Sequence, residues 1–346
     1  MYTFFDSDFF HFEFLRVLGT APFEGCEIGK CLETIACIKT PDAESWFDAW
    51  RGFALLADPA GYGGEVLSLE VPYEHGLMLP AYLFMPLREA GLTEPIPVVV
   101  NSGGFDSTQE ELYFYIAAGA RRRGYAVLTF DGPGQGIFHR RLDQRAGFPA
   151  QAPEGAYMRH DWEAVIRPVL DRLWTYSKAN QHLHLGLNRV SIFGESMGAY
   201  FALRGAGDPW IKACIAMDGF YDMWDTADSR IPPVFLKAWD RLGDRFFDRV
   251  IRSLGRCPVF VTGAADWAYF PAQGNATKIF EVFNQLHPEM AKLWVTKGVG
   301  SGGLQAKVAA ISVVHDKTFE WLDEVLIIDR KKEKSLPYLY LFVFLV

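Results

Sequence analysis

The stretch from 190 to 203 constrains this chain more than any other. Val190-Ser191-Ile192-Phe193 has the composition of a short buried strand. Gly194-Glu195-Ser196-Met197-Gly198 follows as a turn with glycine at both ends, and Ala199-Tyr200-Phe201-Ala202-Leu203 continues as a helix. A strand that turns straight into a helix puts the middle residue on a strained corner. Its side chain is raised above the sheet, and the glycines let neighbouring backbone close around it. Ser196 holds that corner. A bare G-x-S-x-G string occurs often by chance, whereas one framed by a strand and a helix is specific. The helix N-terminus behind Ser196 also favours negative charge beside it. Ser196 is therefore the candidate nucleophile, and the Met197 amide a candidate donor to an oxyanion.

A corner of this kind needs a parallel sheet around it. Apolar runs at 97–101, 125–130, 213–217, 259–262 and 293–296 read as further buried strands. Helical stretches at 108–123, 157–176, 273–285 and 304–325 alternate with them, which implies an α/β fold: a mostly parallel sheet with helices on both faces. Two alternating segments, 65–73 and 79–86, read as a hairpin at its edge. Before them, residues 1–62 form a helical N-terminal segment rich in phenylalanine. Core packing is the plain reading of its rings, and the wall of an apolar pocket the sharper one. From 218 to 256 the alternation gives way to Phe220, Tyr221, Trp224, Phe235, Trp239 and Phe246, the composition of a cap insertion. The α/β domain thus spans 63–328 with a cap at about 218–256, and 329–346 is an atypical tail, basic and then apolar.

Composition excludes several classes. The formal net charge is −8, and the basic cluster Arg121-Arg122-Arg123 suits the solvated end of a helix, so no nucleic-acid partner is expected. The five cysteines include no CxxC pair, which argues against a zinc site and for a reduced, cytoplasmic chain. The opening residues carry Asp6, Asp8 and Glu13, unlike a signal peptide. No apolar run reaches the roughly 20 residues of a membrane span.

Four further segments carry chemistry. Asn101-Ser102-Gly103-Gly104-Phe105-Asp106 ends the first parallel strand, and its glycines let the Gly104 and Phe105 amides approach a substrate oxygen. Asp131-Gly132-Pro133-Gly134-Gln135-Gly136 ends the next strand and takes a shaping role. Asp266 ends a late strand, the place of the supporting acid in the chain order serine, acid, histidine; Asp218, one strand earlier, is its rival. The base is the gap. The loop due to carry it, 298–306, holds glycines and Gln305 but no histidine. His315 lies downstream within a helix, where packing is its ordinary role, and His139 sits in a different loop.

Taken together, Gly103 to Thr108, Asp131 to Gly136, Gly194 to Gly198, Gly263 to Asp266 and Trp321-Leu322-Asp323 resemble a branch of the α/β-hydrolase fold family. That branch includes the dihydroxypseudooxynicotine C–C hydrolase and fungal enzymes that shorten polyketides. The opening Phe4-Phe5-Asp6-Ser7-Asp8-Phe9-Phe10 is similar to the hydrolases of fungal fusarin and cytochalasan clusters. The resemblance implies a hydrolase of mycotoxin or related secondary metabolism. Its substrate would be a carbonyl-bearing polyketide–peptide intermediate, its step hydrolysis or cyclisation, with no metal or organic cofactor and a homodimer as a compatible assembly. It implies Ser196 as nucleophile, Asp266 as acid, and Asp106 at a carboxylate position just past the glycine turn. Gln305 falls where other members have histidine, and a helical segment that relatives carry between Trp50 and Gly63 is missing. Two rival readings stand beside this one: a general serine esterase with His315 as base, and a binding protein that retains the fold without catalysis.

Overall fold

The computed structural model describes residues 4–23, 25–26, 28–38, 65–86, 94–105, 107–121, 123–138, 155–221, 257–266, 272–301, 303, 308 and 310–328. Eight strands form one sheet: β1 Val66–Pro72, β2 Met78–Phe84, β3 Ile96–Ser102, β4 Ala126–Phe130, β5 Leu185–Glu195, β6 Ile211–Met217, β7 Val259–Ala264 and β8 Ala291–Thr296. Their order across the sheet is β1-β2-β4-β3-β5-β6-β7-β8. The β1–β2 hairpin is antiparallel and joins antiparallel to β4; every pairing from β4 to β8 is parallel. The expected architecture is therefore present, hairpin edge included.

Side chains alternate across this sheet because strand residues point to opposite faces. Val98, Val100, Ile192, Cys214 and Val261 enter one buried cluster, and Val99, Phe193, Ile215 and Phe260 the other. The first cluster is roofed by α4 Glu163–Ala179, α5 Met197–Gly205 and α6 Ala276–Leu286. The second is closed by α3, a π-helical turn at Tyr113–Ala117 running into α-helix at Ala118–Arg121, and by α7 Ile311–Val325. Both faces being covered explains why the central strands read as unbroken apolar runs.

Two helices are described from later than their hydrophobic pattern suggests, and a polar anchor accompanies the late start of the first. Arg159, expected inside a helix from 157, bonds instead to the Tyr73 hydroxyl, Glu74 and Asp161 and holds 155–162 as turns. The helix expected from 304 is described from Ile311, residues 304–307 lying outside the described residues, and the Gly303 N–H donates to the Gly298 carbonyl.

The N-terminal segment contributes α1 Asp8–Leu18 and α2 Ile28–Cys37, with a cluster of its own around Phe5, Phe14, Cys26 and Cys31. Phe14 is edge-on to Phe4 and to Phe5, so these rings pack a core. The residues at 39–64, 222–256 and 329–346, which include the expected cap and tail, lie outside the described residues. A partly buried ionic network ties α1 to the turn and helix that follow β3. Arg16 donates through Nε and Nη2 to the Glu111 carboxylate at 2.7 and 2.8 Å, and its Nε also reaches the Tyr115 hydroxyl at 3.1 Å. Tyr115 donates to Glu111 in turn. Burial first, and then Glu111, push the Tyr115 pKa far up, and the Glu195 carboxylate adds to the same direction.

Because the partner carboxylate is left behind, Arg16→Leu is expected to destabilise the fold by about 2 kcal/mol. Limited proteolysis should then cut within 4–38 first. Urea titration and a timed digest check this, and unchanged resistance of that segment would show that Arg16 does not anchor it.

Candidate active site

Ser196 sits between the end of β5 and the start of α5 with φ 55° and ψ −119°. A non-glycine residue at such an angle costs roughly 1–3 kcal/mol and persists only where the surroundings over-determine it. They do so here through backbone. The Ser196 N–H donates to the Met217 carbonyl at 2.9 Å, tying the corner to β6. A Cβ on Gly194 would lie 1.9 Å from the Gly198 carbonyl oxygen, and a Cβ on Gly198 would lie 2.5 Å from the Ser102 carbonyl oxygen. Glycine at both places is thus a condition of the turn.

The same contact brings the loop after β3 against the first turn of α5. Gly104 lies over this turn, close to the Glu195 carbonyl and the Gly198 nitrogen. The Gly104 N–H donates to the Ser107 hydroxyl oxygen at 3.3 Å. The Met197 amide belongs to the first turn of α5, whose N–H groups have no intrahelical acceptor. Two side chains from the loop after β4 brace this arrangement. Gln135 Nε2 donates to the Gly103 and Gly104 carbonyls at 3.0 and 2.8 Å. Asp131 accepts from the Gln109 N–H at 2.9 Å and from the Ile137 N–H at 2.8 Å. The shaping role read for 131–136 thus has named contacts. The Gln135 bonds had no signal in the sequence beyond the segment's position.

Asp266 follows β7 and is exposed. Its N–H donates to the Gly303 carbonyl at 2.7 Å, and its Oδ2 accepts from the Gly298 N–H at 2.5 Å. The loop expected to present a histidine to this acid touches it through backbone. Asp218, the rival, is buried at the end of β6, where its Oδ1 accepts from the Thr262 hydroxyl at 3.1 Å. Asp106, Gln305 and His139 lie outside the described residues. His315 is fully buried in α7. Its Nε2 is 2.9 Å from the Tyr115 carbonyl oxygen, which can only accept, so Nε2 carries the proton. Its Nδ1 faces Gly119, where an added Cβ would come within 2.3 Å of it. Phe23 packs edge-on to the ring at 4.7 Å. Among the described residues, no group of His, Cys, Asp and Glu is arranged to hold a metal ion, and no helix is long and apolar enough to cross a membrane.

Comparison with known proteins agrees with this fold. Residues 98–305 match the model of the alpha/beta hydrolase family. The chain is 37% identical over 430 residues to a hydrolase of a Fusarium species, an alignment covering 95% of this chain and 99% of the relative. It is 37% identical, with the same coverage, to the 20-hydroxy-prefusarin hydrolase of Gibberella moniliformis, and 35% identical over 439 residues to a hydrolase of Aspergillus aculeatus, covering 95% and 99%. These alignments are longer than the chain itself, so the relatives carry internal sequence that it lacks. The structure of 2,6-dihydroxy-pseudo-oxynicotine hydrolase superposes with a TM-score of 0.56 at 20% identity, covering 93% of this chain and 90% of that one. A Pyrococcus furiosus esterase superposes at 0.55 and 17% identity, covering 78% and 96%.

Burial lowers the His315 pKa from 6.5 to about 3, and the Arg123 charge acts in the same direction. The folded state therefore keeps the ring neutral, while the unfolded chain protonates it below its ordinary pKa. The stability tied to this group is complete above that value and is lost as pH falls toward the folded one, by about 1.4 kcal/mol per pH unit. His315→Gln keeps a donor for the Tyr115 carbonyl and does not titrate. Between pH 7 and pH 5 it should lose about 2 kcal/mol less than the native chain. Identical pH dependence of the two proteins in urea titrations would show that the ring is not held neutral.

Proposed function

The chain belongs to the alpha/beta hydrolase family, and from that premise we propose that Ser196 acts on a carbonyl carbon of a polyketide–peptide hybrid in secondary metabolism. The observation that carries this reading is the strained Ser196 corner, closed against the loop that holds Gly103 and Gly104. The Ser196 oxygen bonds to the carbonyl carbon as the π pair moves onto oxygen. The Phe105 and Met197 amides receive that charge. The hydroxyl proton passes to a carboxylate, for which Asp106 stands just past the oxyanion turn in sequence. When the oxyanion collapses, the leaving carbon or heteroatom takes up that proton, and water then releases the acyl group from Ser196. A cyclisation would use the same oxyanion site without the water step.

Two observations bear on the substrate, the first of them favouring an apolar one. The Phe105 ring, beside the oxyanion loop, is 72% exposed. A relative is named for 20-hydroxy-prefusarin, in keeping with the fusarin-cluster resemblance. The His315 geometry supports a packing role and weakens the esterase reading that makes it the base. The non-catalytic reading draws on the 298–306 loop, which lacks histidine. Its backbone occupies an Asp266 oxygen. Loss of a triad member typically leaves about 10³–10⁴-fold catalysis over water, enough for a reactive substrate and poor for an ordinary ester.

A fluorophosphonate is expected to add one phosphonyl group at Ser196 in the native chain and none in Ser196→Ala, by intact-mass spectrometry. Gln305→His is expected to raise the turnover of an activated ester at least about tenfold, by restoring a base in that loop. Native protein that binds a polyketide–peptide ketone but neither turns it over nor takes the label would favour the binding protein over this reading.

A further inference from the structure

We infer that Gln135 is a positioning residue that sets the direction of the oxyanion amides; the catalytic half of this inference rests on the reading of Ser196 as nucleophile. Gln135 is 2% exposed, and its amide is fully used. Oε1 accepts from the Gly132 N–H at 2.9 Å. That bond fixes which end of the amide is oxygen, so both Nε2 hydrogens face the oxyanion loop. They go to two consecutive carbonyls, Gly103 and Gly104.

Peptide geometry turns those two bonds into a constraint on the opposite side of the chain. In a planar trans peptide the N–H points away from the C=O. Holding the Gly103 carbonyl on the Gln135 side turns the Gly104 N–H the other way, where it meets the Ser107 hydroxyl. Holding the Gly104 carbonyl on that side turns the Phe105 N–H the same way. Among the described residues no group accepts from the Phe105 N–H. Glycine at 103 and 104 leaves these two positions without a side chain to fix their rotation, so the Gln135 bonds add to the Ser107 bond and the packing against Gly198. Gln135 itself is fixed. It lies in a loop whose Asp131 carboxylate is bonded to the Gln109 and Ile137 amides, and Gly132 is packed under the Trp162 ring. A segment with no reacting atom thus decides where the donor points.

Two substitutions separate this from general support of the fold. Gln135→Glu keeps the acceptor for Gly132 and removes both donors; Gln135→Met removes all three bonds at similar size. In either variant the peptide covering 101–112 should exchange its amide hydrogens about tenfold faster than peptides of the sheet do, after both are corrected for the fall in thermal midpoint that the lost buried bonds cause. Labelling of Ser196 by a fluorophosphonate should slow about 100-fold, the scale of a misplaced or lost oxyanion donor, with little change in the concentration for half-saturation. Native exchange and native labelling in a folded variant would overturn the inference. Native labelling with faster exchange would overturn its catalytic half. Native protein that takes no label would overturn the Ser196 reading and that catalytic half with it, while the exchange measurement still decides whether Gln135 orients the loop.

Discussion

The site depends on one backbone contact, the approach of the loop after β3 to the first turn of the helix after β5. Carbonyls of Ser102 and Gly103 lie where a side chain on Gly198 would be, and the Gly198 carbonyl lies where a side chain on Gly194 would be. This contact forces Ser196 to a positive φ, and it brings the oxyanion loop beside the serine. Close-packed interiors transmit such constraints because no void is left to absorb them. The extended β5 and the neighbouring β3 and β6 supply the rigidity. Their pairings run up to Ser102, Glu195 and Met217, directly beneath the corner.

Around this contact the molecule places its polar groups as braces. Gln135 and Asp131 hold the oxyanion loop from the β4 side. On the other face, Arg16 of the N-terminal segment holds Glu111 and Tyr115 on the helix that follows the loop, and the Tyr115 hydroxyl lies in the field of the Glu195 carboxylate. The N-terminal helices therefore do more than add phenylalanine to a core. They anchor the turn and helix that follow the Gly103–Gly104 loop. Buried ionic groups of this kind gain little net stability but define a geometry, since every alternative leaves a charge unpaired.

Asp266 and the loop at 298–306, which carries no histidine, form the less usual half of the candidate site. Asp266 stands at the end of β7, and the glycine-rich chain after β8 returns to it through the Gly298 and Gly303 backbone. A backbone N–H orients a carboxylate but cannot shuttle a proton. His315 is the nearest histidine downstream of that loop, and α7 carries it into the apolar layer between α3 and Phe23, where its pKa is too low for a base at neutral pH.

Much of this was legible in the sequence. Runs of valine and isoleucine located the parallel strands, alternation located the hairpin, and the framed glycines located the Ser196 corner, because backbone sterics and side-chain period are local properties. Asp266 was expected just past a late strand, and it follows β7. Tertiary structure alone decided three things. A glutamine inside a glycine-rich turn has no sequence period, so only the fold could bring Gln135 onto the Gly103 and Gly104 carbonyls. The Arg16 bond to Glu111 joins residues far apart in the chain, and nothing near either one announces the other. The fate of His315 turned on which face of α7 it occupies and what lies opposite. A helical pattern names a buried face, but only packing against Tyr115 and Gly119 determines that both ring nitrogens are enclosed there.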